Sequence, residues 1–338
     1  MQAPHQHTVD YYVFNGDADG LCALQQLRLQ QAPQAFQKHS KLITGVKRDI
    51  ALLERIRAVQ GARITVLDIS LDKNRAALEQ LLAQENQVTY IDHHHSGALP
   101  VSPLLTAHIN TSPHTCTSLL VDGLLHGAHS RWAIAGAYGD NLLGQARSHA
   151  TALKLDSVEL AQLQHLGTLL NYNSYGESLA DLHVAPLQLC NEMEQSTDPF
   201  DYLRSSRLLP VIAEGYQQDR EHLQSCTAYD SFPGGRIFLL PDAPWARRVS
   251  GIYANQCATE QPDAAHAIIQ QQRDGSLRIS VRSAQKCPQG ADTFCRQFPG
   301  GGGRAAAAGI NNLPGHELEQ FIHMFRQHFT AVLSKQAS

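Results

Sequence analysis

The stretch DYYVFNGDADG, residues 10–20, decides the reading of the fold. Aromatic and β-branched residues at 10–14 read as a buried strand. Asn15-Gly16-Asp17-Ala18-Asp19-Gly20 then supplies turn residues and an N-cap for a following helix. Similar strand-like runs recur at 41–46, 63–68 and 87–91. Between them, residues 20–31, 49–59 and 73–84 carry Leu, Ala and Gln at helical spacing. This alternation predicts an α/β fold that begins as a doubly wound, mainly parallel sheet with helices on both faces.

Beyond residue 114 the pattern turns helical, with apolar spacing over 115–127, 131–143 and 157–170. Polar and Pro-containing stretches near 185–200 punctuate the chain, and 201–228 reads as a connecting helix. A second, smaller α/β domain follows, with strands at 236–240, 266–270 and 277–282 and helices at 246–258 and 314–334. The glycine run 300–303 is expected to break the chain between them. The organisation expected is a first domain over 1–190, a helical linker over 191–228 and a second domain over 229–338.

The 338 residues, 43% of them apolar, suffice for two cores. No run approaches the ~18 apolar residues of a membrane span, and the N-terminus lacks the order of a secretory signal. A soluble, cytoplasmic protein is expected. Cysteines 22, 116, 190, 226, 257, 287 and 295 never form a C-x-x-C pair, which predicts thiols rather than disulfides or a thiolate zinc site. A net charge of −4 argues against a broad basic face for long duplex DNA, so any nucleic acid partner should be short.

Ligands of open α/β sheets bind outside the carboxyl ends of the strands. Those ends carry Asp17 and Asp19, Lys47 and Arg48, Asp68, and Asp92-His93-His94-His95. Each has an ordinary reading, as an Asx-turn, a helix cap or a solvated basic pair. Together they concentrate negative charge that opposes folding unless cations neutralise it. A shell of mostly oxygen with one or two imidazole nitrogens suits Mn²⁺ or Mg²⁺.

These residues resemble the motifs of the DHH phosphoesterase superfamily, which includes RecJ nucleases, nanoRNases and phosphoadenosine phosphatases, certain cyclic dinucleotide phosphodiesterases and family II pyrophosphatases. Asn15-Gly16-Asp17-Ala18-Asp19-Gly20 is similar to the first motif, Val66-Leu67-Asp68 to the second, Asp92-His93-His94 to the signature and Gly139-Asp140 to the fourth. The resemblance implies that Asp17, Asp19, Asp68, His93 and Asp140 are ligands of two metal ions, with Asp68 bridging. It places His94 against the second metal or the reacting phosphate, as a catalytic residue, and makes Asp92 the carboxylate that orients the histidines. Val13 stands where many nanoRNase-like and pyrophosphatase members carry histidine, which implies a first metal more weakly held or more hydrated.

Gly300-Gly301-Gly302-Gly303-Arg304 before Ala305-Ala306-Ala307-Ala308-Gly309 resembles the DHHA1 motif, with arginine in place of histidine. The resemblance implies a substrate-binding second domain, using Gly301, Gly302, Gly303 and Arg304. In LRISVRS the alternation sets Ile279 and Val281 on one face and Arg278, Ser280 and Arg282 on the other, which makes Arg282 a further candidate. Lys47, Arg48 and His95 are the candidates from the first domain. The expected activity is hydrolysis of phosphodiesters at the end of a short single-stranded oligonucleotide by metal-activated water. A nucleotide phosphomonoesterase or a cyclic or linear dinucleotide phosphodiesterase is the alternative. A nucleotide sensor without turnover is the reading from another class. Oligomeric state stays open and includes a homodimer.

Overall fold

The computed structural model describes residues 9–31, 40–284 and 290–334; Cys287 and residues 1–8 lie outside them. The chain divides into two compact units, residues 1–216 and 217–338.

In the first unit, β1 (Asp10–Phe14), β2 (Ser40–Thr44), β3 (Arg63–Leu67), β4 (Gln87–Asp92) and β5 (Leu105–Ile109) form one parallel sheet in the order β2-β1-β3-β4-β5. The four strands expected from the sequence are present. The fifth, β5, is an edge strand of half-buried residues, so no apolar run announces it. On one face Val13, Ile64, Val66, Val88 and Tyr90 pack against Leu78, Leu81 and Leu82 of helix α2 (Leu71–Ala83). The other face carries α1 (Ala18–Leu29) and α3 (Thr117–Leu124), with α4 (Ser130–Gly139), α5 (Leu143–Ala152) and α6 (Ser157–Ser174) beyond. The capping box Asp156/Glu159 fixes the start of α6.

Two helix expectations are corrected. Residues 49–59 do not form a helix but hold a single 3₁₀ turn, Leu52–Ile56. Buried Asn74 satisfies the backbone there, accepting from the Leu53 N–H at 3.1 Å and donating to the Ile50 carbonyl at 2.6 Å. The span 201–228 is split between α8 (Pro199–Ser205) and α9 (Leu208–Gln224), after α7 (Pro186–Met193). Pro210 has no N–H and belongs in a first turn, and the Ser206 hydroxyl accepts from the N–H groups of Leu208 and Leu209.

The second unit has a six-stranded sheet ordered β10-β11-β9-β8-β7-β6. Its strands are β6 (Asp230–Phe232), β7 (Gly235–Leu240), β8 (Ala265–Gln271), β9 (Leu277–Arg282), β10 (Gly301–Gly303) and β11 (Ala307–Leu313). Only β7 and β8 pair in parallel, and α10 (Pro244–Glu260) makes the crossover between them. On one face Ile237, Ile269, Ile279 and Val281 meet Phe294 of α11 (Ala291–Cys295) and Phe321, Phe325 and Phe329 of α12 (Leu318–Ser334). The glycine run does not break the sheet: it supplies the edge strand β10. At Gly303 (φ +144°) a Cβ would lie 2.5 Å from the Ala308 Cα, so the close approach of β10 to β11 needs glycine.

The six described cysteines are free thiols. No helix among the described residues is long and apolar enough to cross a membrane.

Candidate metal centre

The strands end in register. Phe14 lies beside Leu67, and Leu67 beside Ile91, so Asn15, Asp68 and Asp92 emerge side by side at the carboxyl edge. Asp17 caps α1, accepting from the Gly20 N–H at 3.1 Å. Asp19, in the first turn of α1, accepts from the N–H groups of Thr117 (2.7 Å) and Ser118 (2.8 Å) and so ties α1 to the start of α3. Asp68 sits at φ +58°, a left-handed conformation that non-glycine residues adopt mainly where the surroundings enforce it. Its Oδ1 accepts from the Thr117 hydroxyl at 3.2 Å and lies 3.3 Å from His93 Nε2. Asp140, the C-cap of α4, lies 3.6 Å from the same nitrogen. His94 Nδ1 is 2.7 Å from Asp92 Oδ1.

Two donor sets result, Asp68–Asp92–His93–His94 and Asp19–His93–Asp140, each with ligand atoms within 4.8 Å of one another. Asp92 is fully buried, and its Oδ2 has no hydrogen-bond partner. A buried carboxylate oxygen left bare in this way, among oxygen and imidazole donors, fits a divalent cation of the Mn²⁺ or Mg²⁺ kind.

Asp17 belongs to neither set. Its carboxylate is 2.5 Å from Lys47 Nζ, which also donates to Asn171 Oδ1 at 3.1 Å, lies 3.5 Å from Asp140 and sits over the Tyr175 ring. Burial alone would raise the Asp17 pKa, but the Lys47 charge together with the hydrogen bonds from Lys47 and the Gly20 N–H outweighs it and holds the carboxyl below the usual range. Burial disfavours the Lys47 ammonium in turn, yet Asp17 and Asp140 lift its pKa well above that of a free lysine. Asp68 has no such cation. Burial and the charges of Asp17, Asp19, Asp140 and Asp92 push its carboxyl well above the usual range. Asp140 moves up for the same reasons, burial first and then Asp19. For His94 burial lowers the pKa, and the hydrogen bond to Asp92 together with the charges of Asp92, Asp140 and Asp19 more than reverses it.

The cavity over this edge measures about 520 Å³ and includes Lys47, Asp68, His93, His94, His95 and Asp140 in its wall. Arg48 is exposed and does not line it. Sequence reasoning missed Asn171 and Tyr175, which hold Lys47, and Thr117, which holds Asp68. It also missed Ser70 and Lys73 in the cavity wall. Only the turn after Asp68 gave a signal for that last pair. In the second unit Arg282 Nε donates to Asn255 Oδ1 at 2.9 Å, on the face of β9 opposite buried Ile279 and Val281. Gly301 and Gly302 lie in β10, and exposed Arg304 turns the chain into β11 through paired backbone bonds with Ala307.

A parallel sheet of this order, carrying aspartates and a histidine pair on its carboxyl edge and followed by a second mixed sheet, defines the DHH-domain fold. Solved structures share it. The chain superimposes on the DHH domain of a member of a ribosomal-protein family with a TM-score of 0.60, at 14% identity over 95% of this chain and 86% of that one. An exonuclease RecJ bound to manganese matches at 0.55 and 16% identity, over 94% of this chain and 89% of that one. The pGpG-specific phosphodiesterase PggH of Vibrio cholerae matches at 0.52 and 12% identity, over 96% and 99%. No family model and no curated protein matches the chain.

Proposed function

We propose that this chain is a divalent-metal-dependent phosphoesterase that hydrolyses phosphodiester bonds at the end of short single-stranded oligonucleotides. The observation that carries the reading is the cluster of carboxylates and imidazoles at the carboxyl edge of the sheet, with the bare Asp92 oxygen among them. Two Mn²⁺ or Mg²⁺ ions would be held among Asp17, Asp19, Asp68, His93 and Asp140, with Asp92 and His94 beside them. Bound there, such ions supply an activated water at neutral pH and offset charge on the phosphoryl oxygens. The chain's own part is to position and to move protons. Thr117 and His93 fix the Asp68 carboxylate. Asp92 orients His94 and keeps its imidazole readily protonated, poised to donate a proton to the leaving oxygen. His95 and Lys73, at the cavity wall, are placed to meet the substrate phosphates. In the second unit Arg282, Gly301, Gly302, Gly303 and Arg304 are assigned to binding the rest of the strand, which makes that unit the DHHA1-like one.

The fold shared with a manganese-bound exonuclease supports the leading reading. The fold shared with a pGpG-specific phosphodiesterase supports a second, in which the substrate is a linear or cyclic dinucleotide. The deciding assay is a panel with Mn²⁺: short RNA and DNA oligomers, linear and cyclic dinucleotides, 3′-phosphoadenosine 5′-phosphate and pyrophosphate. Turnover of oligomers from one end, abolished by EDTA and by Asp68→Ala, is the expected result. Activity of Asp68→Ala within tenfold of wild type would refute the assignment of the site.

A further inference from the structure

The second unit holds a cavity that the metal centre does not explain. It measures about 350 Å³ and lies between β7, the C-terminal half of α10 and the end of α9. Its wall includes Arg236 from β7, Arg220 and Gln224 from α9, and Gln256 and Glu260 from α10. Arg236 is the anomaly. Its Nε and Nη2 are buried and have no hydrogen-bond partner, while its guanidinium lies over the Phe238 ring at 5.3 Å.

The sheet gives it no counter-charge: in register, its cross-strand neighbours are Ser231 on β6 and His266 on β8. Glu260 is the carboxylate in the wall, and it accepts from Gln256 Nε2 at 2.7 Å rather than pairing with Arg236. Arginine stays charged at any ordinary pH, so burial without a partner is costly unless an anion supplies the missing acceptors.

We propose that this cavity binds a phosphate group, free or carried by a small phosphomonoester, with Arg236 as its anchor. Nε and Nη2 form the side-on fork that meets two oxygens of an oxoanion at once. In the cavity wall Gln224 adds a neutral amide beside the Arg236 guanidinium, and Arg220 adds positive charge. A forked guanidinium with an amide and further positive charge beside it suits the several oxygens and the higher charge of a phosphate. The volume leaves space for an esterified group beside it, where Glu260 can accept from a hydroxyl. The site is separate from the phosphoesterase reading and stands without it.

The test is calorimetry on the full chain, stripped of metal and kept in EDTA, titrated with inorganic phosphate and, separately, with adenosine 5′-monophosphate. Saturable binding of either probe is expected. Binding of both assigns the site to the phosphate group alone, and binding of the nucleotide alone assigns it to a phosphomonoester. Arg236→Met should weaken it at least tenfold, the scale of a lost bidentate charged pair. Should that variant fail to fold, Glu260→Gln is the second measurement. Removing the repelling charge should tighten binding about threefold. Arg296→Ala, at an exposed arginine paired with Asp292, should leave binding unchanged. No saturable binding of either probe, equal affinity in Arg236→Met, no tightening in Glu260→Gln, or equal loss in Arg296→Ala would overturn the proposal.

Discussion

Replacing Lys47 by methionine keeps most of the side chain's length and removes its charge, which isolates the role of the ammonium in the carboxylate cluster. Its nitrogen lies 2.5 Å from Asp17 and 3.5 Å from Asp140, and its side chain is 23% exposed. At an effective dielectric constant of about 20, these two attractions amount to ~7 and ~5 kcal/mol. Dehydrating the charged groups offsets most of that sum. Removing one partner of a buried pair leaves a net loss of about 3–5 kcal/mol. Metal-free Lys47→Met should therefore unfold in urea about 1–2 M earlier than wild type, for a slope of about 3 kcal/mol/M. Saturating Mn²⁺ supplies positive charge to the same cluster and should remove most of the difference. Urea titrations followed by circular dichroism, in EDTA and in Mn²⁺, measure both quantities. A loss below about 1 kcal/mol in EDTA, or one that Mn²⁺ leaves untouched, would refute the assignment of Lys47 as the resident counter-charge.

Asp68→Asn tests the opposite case, since asparagine tolerates the positive φ and carries no charge. Burial and the neighbouring aspartates raise the folded pKa of Asp68 above its unfolded value. Its contribution to stability is therefore present below the unfolded value and lost as pH rises through the folded one. Metal-free Asp68→Asn should be more stable than wild type at neutral pH, and the two should converge toward pH ~4; thermal melts across that range, showing no such convergence, would contradict it. Arg304→Ala should lower kcat/KM for oligonucleotides by about ten- to a hundredfold, while hydrolysis of bis-p-nitrophenyl phosphate and Mn²⁺ affinity hold. Equal loss on both substrates would remove Arg304 from substrate binding.

Much of the first unit was legible because its strands are buried on both faces. Val13, Ile64, Val66 and Val88 sit in apolar runs that no amphipathic helix would produce. Their ends then show which aspartates and histidines share an edge. Lys47 was visible only as half of a basic pair. Its turn into the cluster, away from Arg48, depends on Asn171 and Tyr175, more than 120 residues away in sequence. The edge strands β5, β6 and β10 were missed, and so was the inner strand β11. Edge strands need little apolar alternation, and in the Ala run of 305–308 the pairing of β11 with β9 overrides helix propensity. Nor does the sequence show that Arg236 lacks a partner, because that follows from register with Ser231 and His266.

The bond from Asp19 to the start of α3 spans 98 residues, and shorter but still long-range stretches separate the donors at 68, 92 and 140. Closing such loops is entropically slow to be rewarded, so the cluster assembles after most of the sheet has formed. An ion that binds only the finished cluster leaves the barrier to folding nearly unchanged and raises the barrier to unfolding. Stopped-flow measurements should accordingly find Mn²⁺ slowing the unfolding arm with little effect on the folding arm, and an equal effect on both would place the cluster in the folding nucleus. The metal would then act as a latch on the completed unit, setting how long it persists rather than how fast it forms.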